Sequence, residues 1–170
     1  ASGAFRDSFA ILVGAAHSDL SPDHLTHAPV KMALGTSQVK VHNYGSRIDC
    51  YAWGEGIYTT GVKPDGTDDY VVFPDTSGAA AIIAGAALAI QGIAQAYGKG
   101  DLPNGRFSPL ALRDILRNQS TGTPSFTPST DKIRAMPNLR AILNQTLGIW
   151  HRPRHDEAID LTPDIFLLDV

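Results

Sequence analysis

The run GAAAIIAGAALAI, residues 78–90, constrains this chain more than any other stretch. It carries no charge, and its apolar residues show no alternation of period two. An unbroken run of this length, rich in alanine, predicts a helix. A helix that is apolar on every side is buried. Gln91 ends the run before it reaches the roughly 18–20 residues that a bilayer span requires, so a core helix is expected, over about residues 78–97. Gly98 is placed to close it in a left-handed conformation. Asp75-Thr76-Ser77 stands directly in front of it.

The remaining pattern predicts an α/β fold. At 170 residues the chain fits one domain with a sizeable core. Phe9–Ala16, FAILVGAA, is a continuous apolar run with Ile and Val, the pattern of a strand covered on both faces. Residues 17–29 are polar with a proline and predict a loop. Residues 46–61 predict two short extended pieces broken at Trp53-Gly54-Glu55-Gly56, and Pro64-Asp65-Gly66 predicts a turn before a short strand at Val71–Phe73. Ser108 and Pro109 have the character of an N-cap and first helical residue for a second helix, which Thr121-Gly122-Thr123-Pro124 stops. Pro137 is expected to open a third helix ending at Gly148. Residues 149–170 are expected to be an extension or linker, and residues 1–148 the domain.

Charge and composition exclude several classes. The net charge is −3 without a basic run, which argues against a nucleic-acid or acidic-membrane partner. The one cysteine, Cys50, can form no internal disulfide and is expected to be a small buried hydrophobe. Asp19, Asp23, His24 and His27 fall in the polar stretch, where a solvated loop is the simpler expectation than a metal site. Asp65, Asp68 and Asp69 lack the glycine and glutamate of a calcium loop. Gly54, Gly56 and Gly61 miss the dinucleotide-binding spacing and precede no helix. Neither a cofactor nor a metal is expected. Trp53 and Tyr58 are expected in the core or as pocket walls.

Ser77 admits two readings from the residues alone. Asp75, Thr76 or Ser77 can be a plain N-cap, a role worth about 1 kcal/mol. Alternatively, the strand-to-helix junction holds the Ser77 hydroxyl beside free backbone N–H groups and the positive end of the helix dipole. An oxyanion formed there would be stabilised.

The order VGAA, HNYGSRIDCYAWGEGIYTTG, DTSGAAAIIAGAALAIQG, TGTP and MPNLRAIL resembles the C-terminal half of the catalytic domain of subtilisin-like serine peptidases. Asn43-Tyr44-Gly45, Ala52-Trp53-Gly54 and the Ile57-Tyr58-Thr59-Thr60 stretch fall in the family's order. Thr76, Ser77 and Ala79 match its Gly-Thr-Ser-x-Ala motif, and Gly85 matches a glycine eight residues beyond the serine. The resemblance, over residues 1–148, implies the C-terminal portion of a mostly parallel sheet flanked by helices, with a long central helix starting at the nucleophile. It implies a serine endopeptidase that forms an acyl-enzyme on Ser77, with Thr76 and Gly78 as neighbouring motif residues and the Ser77 N–H as one oxyanion donor. It also implies a polypeptide substrate and a secreted or periplasmic location.

Two positions depart from the family. Asp75 replaces a glycine, and its carboxylate would oppose a nearby oxyanion by about 1 kcal/mol at 4 Å in water. Ala81 replaces a common proline. The family's Asp, base His and oxyanion Asn precede the matched region, so the resemblance implies that an upstream N-terminal portion of the same catalytic domain supplies them. None of His17, His24, His27, His42, His151 and His155 occupies the base position. Loss of the base costs a subtilisin on the order of 10⁶ in turnover. A catalytically impaired, peptidase-like binding or scaffold domain is the alternative expectation.

Overall fold

The computed structural model describes residues 7–20, 27–31, 33–34, 40–41, 43–73 and 75–149. Within them the fold is mixed α/β, with small sheets and four helices. Strand β1 (Val13–Leu20) lies between β2 (His27–Lys31) and β5 (Cys50–Trp53) in a three-stranded sheet. β1 and β5 are parallel, in register from Val13 opposite Cys50 to Ala16 opposite Trp53, whereas β1 and β2 are antiparallel. Three two-stranded antiparallel pairs accompany it: β3 (Ala33–Leu34) with β4 (Lys40–Val41), β6 (Ile57–Val62) with β7 (Asp68–Phe73), and β8 (Gly122–Pro124) with β9 (Ala135–Pro137).

Alternation along β1 and β5 covers the sheet on both faces. Ala15, Cys50 and Ala52 join Ala79, Ile83 and Ile90 of helix α1 (Thr76–Tyr97) in the main core, with Leu112 and Leu116 of α2 (Pro109–Leu116) and Ile142. Ala16 and Tyr51 pack on the opposite face with Ile48 and Ile133. The strand residues are small because both layers approach closely: a Cβ on Gly14 would lie 3.2 Å from the Ile133 side chain. The two-sided cover expected of FAILVGAA is therefore present, four residues further along the chain. Asp7 accepts a hydrogen bond from the Phe9 N–H, and Phe9 takes φ 61°, so the apolar run begins in a bend.

The expected loop at 17–29 is partly strand. His17–Leu20 continue β1, and His27–Pro29 pair with them in β2. Residues 21–26 lie outside the described residues. The sheet is consequently mixed, and β1–β5 is the parallel pair among the described strands, in place of a mostly parallel sheet. The break at Trp53–Gly56 and the turn before β7 fall where expected. Tyr58 is 75% exposed rather than in the core. Pro137 ends β9 instead of opening a helix; Asn138 accepts from the Ala141 N–H and caps α4 (Leu139–Ala141), which runs on into a π-turn at Ile142–Thr146. A proline without an N–H is tolerated in so short a strand pair. Helix α3 (Pro128–Asp131) has no counterpart in the expectations. Of the expected extension at 149–170, only Ile149 is described.

A buried ion pair ties α2 to the sheet. Arg113 Nε donates to Asp49 Oδ1 at 2.9 Å, and Arg113 Nη1 donates to Asp7 Oδ2 at 2.7 Å. The other Asp49 oxygen accepts from the Leu12 N–H at 2.9 Å. Arg113 and Asp49 are 4% and 1% exposed. Hydrogen bonds from Arg113 and then from the Phe9 N–H hold the Asp7 carboxyl below its ordinary range.

Candidate functional site

The junction between β7 and α1 places Asp75, Thr76 and Ser77. Helix α1 begins at Thr76, one residue before the expected start at Ser77, because Asp75 is the N-cap. Its Oδ1 accepts from the Thr76 N–H at 2.6 Å, and the Thr76 hydroxyl donates to the same oxygen at 3.3 Å. The Asp75 carbonyl accepts from Gly78 and Ala79. Asp75 therefore fills the capping role, and Ser77, the second residue of the helix, is left exposed. Among the described residues neither its hydroxyl nor its N–H has a hydrogen-bond partner.

Asp75 has φ 91° and ψ 174°, a region occupied almost entirely by glycine and costing other residues about 1–3 kcal/mol. The backbone at residue 75 is thus of the kind glycine adopts without strain. The distortion turns the chain from the sheet into α1. The Asp75 N–H donates to the Gly54 carbonyl at 2.6 Å, and the Gly54 N–H donates to the Ala16 carbonyl at 2.7 Å. The C-terminal end of β5, the middle of β1 and the start of α1 are joined at one point.

Gly78 is buried against the β6–β7 pair. A Cβ there would collide with Ile57 Cδ1 and lie 3.4 Å from Phe73. The hairpin thus forms one wall of the helix start, which explains why a glycine follows the serine. Gly85 has open space around it.

His17 is in β1, with Nδ1 3.9 Å from Glu55 Oε1, close to the Gly54 junction. No hydrogen bond joins it to Ser77. The His24, His42, His151 and His155 positions, and Asp23, lie outside the described residues. Cys50 is fully buried, and desolvation, with a smaller contribution from Asp49, pushes its thiol up to about 12, so it is protonated and unreactive at neutral pH. Tyr51 is also buried; its hydroxyl donates to the Thr123 carbonyl at 2.8 Å, and desolvation raises its pKa.

Sequence reasoning missed a cleft away from Ser77. A cleft of about 620 Å³ opens beside Tyr44, Gly45, Ser46, Gln119, Pro124, Pro128, Lys132 and Arg134, and it does not include Ser77. Ser77 itself is exposed at the helix start, next to the Gly78 contact with Ile57 and Phe73. No family model and no curated protein sequence matches the chain.

Proposed function

We propose that this chain is the nucleophile-bearing part of a subtilisin-like serine peptidase. The observation that carries the reading is the Ser77 hydroxyl, exposed and without a partner among the described residues on the first turn of a long helix, while Asp75 does the capping. Had Ser77 been the N-cap, its oxygen would be occupied by the helix. The parallel β1–β5 pair, tied to the start of that helix through Gly54, and the glycine-type backbone at residue 75 are further support.

In this mechanism Ser77 Oγ attacks the scissile carbonyl carbon and passes its proton to a histidine of an upstream portion of the domain. The oxyanion accepts from the Ser77 N–H. The C–N bond then breaks, the proton moves to the departing amine, and water releases the acyl group from Oγ. A covering portion is also consistent with α1 itself. Contrary to the expectation of a core helix too short for a bilayer, α1 has an apolar window that is long enough to cross a membrane by length and composition, with mean hydropathy 1.7, and only 28% of that window is buried, with Leu88 74% exposed. The proposal places upstream chain, rather than lipid, over this outer face.

The test is fluorophosphonate labelling of the protein together with its upstream portion. Labelling is expected on Ser77 and is expected to vanish in Ser77→Ala; labelling that survives the substitution refutes the assignment. A peptidase-like binding domain without turnover is the second reading. It is favoured by the Asp75 carboxylate at the helix start, where it opposes an oxyanion. An upstream sequence lacking the Asp and His motifs would decide for it.

A further inference from the structure

We propose that the cleft at the other end of β5 is a binding site for an acidic, extended peptide. The cleft stands on the N-terminal side of β5, whereas Gly54 and Ser77 stand at the C-terminal end. It is therefore a separate site, and its role does not depend on catalysis at Ser77.

Two cations line it. Arg134 is held in place by the main chain: its Nε donates to the Ile48 carbonyl at 2.6 Å and its Nη2 to the Ser46 carbonyl at 3.3 Å. Carbonyls orient the guanidinium without neutralising it, and its other donors have no partner among the described residues. Lys132 is exposed, and its carbonyl accepts from the Gly45 N–H at 2.9 Å. No described carboxylate forms an ion pair with either side chain. This contrasts with Arg113 and Arg117, which pair with aspartates. Lys31 adds a third positive charge at the rim, its Nζ 3.9 Å from the centre of the Tyr44 ring. Asp131, adjacent to Lys132, is buried at 6% exposure and offsets part of this charge.

Against a net charge of −3 for the whole chain, a positive cleft is locally distinct. A fixed guanidinium with free donors suits a carboxylate. A more mobile ammonium beside it suits a second one. Tyr44, Pro124 and Pro128 supply the rigid apolar surface on which an extended backbone lies, and Ser46 and Gln119 add polar groups. Together these select an acidic peptide over a neutral one.

Binding of a fluorescently labelled hexaglutamate peptide to the full chain carrying Ser77→Ala, which removes any turnover, tests this. Hexaglutamate is expected to bind at least about tenfold more tightly than hexaglutamine, and to weaken as salt rises from about 50 to about 300 mM. Lys132→Glu, at an exposed position, is expected to weaken binding about tenfold with an unchanged melting temperature. Arg134→Lys, which keeps the charge but loses the fork, is expected to weaken it severalfold. Equal affinity for the two peptides, no binding of hexaglutamate at about 1 mM, or wild-type affinity in Lys132→Glu would each overturn the proposal. Displacement by inorganic phosphate at the same concentration as the peptide would also overturn it, by showing a site for small anions.

Discussion

Replacing Asp75 by glycine is expected to stabilise the protein, although it deletes a helix cap. At φ 91° and ψ 174° the aspartate carries backbone strain of about 1–3 kcal/mol that glycine does not. Glycine is itself a fair N-cap, so the exchange loses only a few tenths of a kcal/mol in capping. The greater freedom of glycine in the unfolded chain costs about 0.4–1 kcal/mol. The balance is a gain of about 1 kcal/mol, which for a chain of this size raises the melting temperature by about 2–4 °C. Asp75→Ala keeps the strained backbone and loses the cap, a loss of about 1 kcal/mol. The two variants should thus differ by about 2 kcal/mol and in sign. Urea unfolding measures this as a shift in midpoint at constant slope. If both variants are destabilised alike, residue 75 carries no conformational strain and the glycine-type reading of this junction is wrong. On the proposed function, Asp75→Gly also removes a negative charge from beside the oxyanion. Turnover of the enzyme with its upstream portion should then rise about fivefold, from about 1 kcal/mol of relieved repulsion.

Other predictions concern positions away from residue 75. Gly78→Ala should change stability in thermal unfolding by less than about 1 kcal/mol, because the atom its Cβ meets is the tip of the Ile57 side chain, which can turn aside while the helix gains alanine's propensity, whereas Gly85→Ala, in open space mid-helix, should stabilise by about 0.5–1 kcal/mol. Arg113→Ala leaves Asp49 buried and unpaired, and chemical denaturation should show a loss of about 3–5 kcal/mol. Because the folded-state pKa of Asp7 lies below its ordinary value of 3.8, its contribution is present above about pH 4 and is lost as pH falls further; Asp7→Asn should flatten the acid limb of a stability–pH profile. For Cys50 the folded-state value rises from 9.0 to about 12, so the unfolded chain releases its proton first. Stability should therefore fall as pH rises above about 9, less steeply in Cys50→Ala, and native Cys50 should resist iodoacetamide at neutral pH.

Local chemistry made some elements readable in advance. The small-residue run, Gly98 with φ 61° and the Ser108-Pro109 pair specify α1 and the start of α2 through propensity and caps that act within a few residues. The broken extended pieces around Gly54 and Gly56 were legible for the same reason. What escaped depended on distant partners. Polar residues 17–20 become strand because β2 offers them backbone partners, and polarity alone says nothing of pairing. Pro137 has the composition of a helix start but is claimed by β8. At Ser77, the exposed hydroxyl follows from Asp75 taking the cap, a division of labour between adjacent residues that spacing leaves undecided. The cleft was invisible in the sequence because its walls come from segments separated by more than seventy positions.

The hydrogen bond from the Asp75 N–H to the Gly54 carbonyl clasps the neck of everything between them. The β6–β7 excursion leaves the sheet and returns to the same spot, so its length is decoupled from the position of the serine. Its tip, at Pro64–Gly66, is accordingly where this architecture accepts inserted sequence, a reporter or an affinity tag with least disturbance to the helix start. Shortening the excursion past Ile57 or Phe73 is another matter, since those two side chains are the wall against which Gly78 is seated.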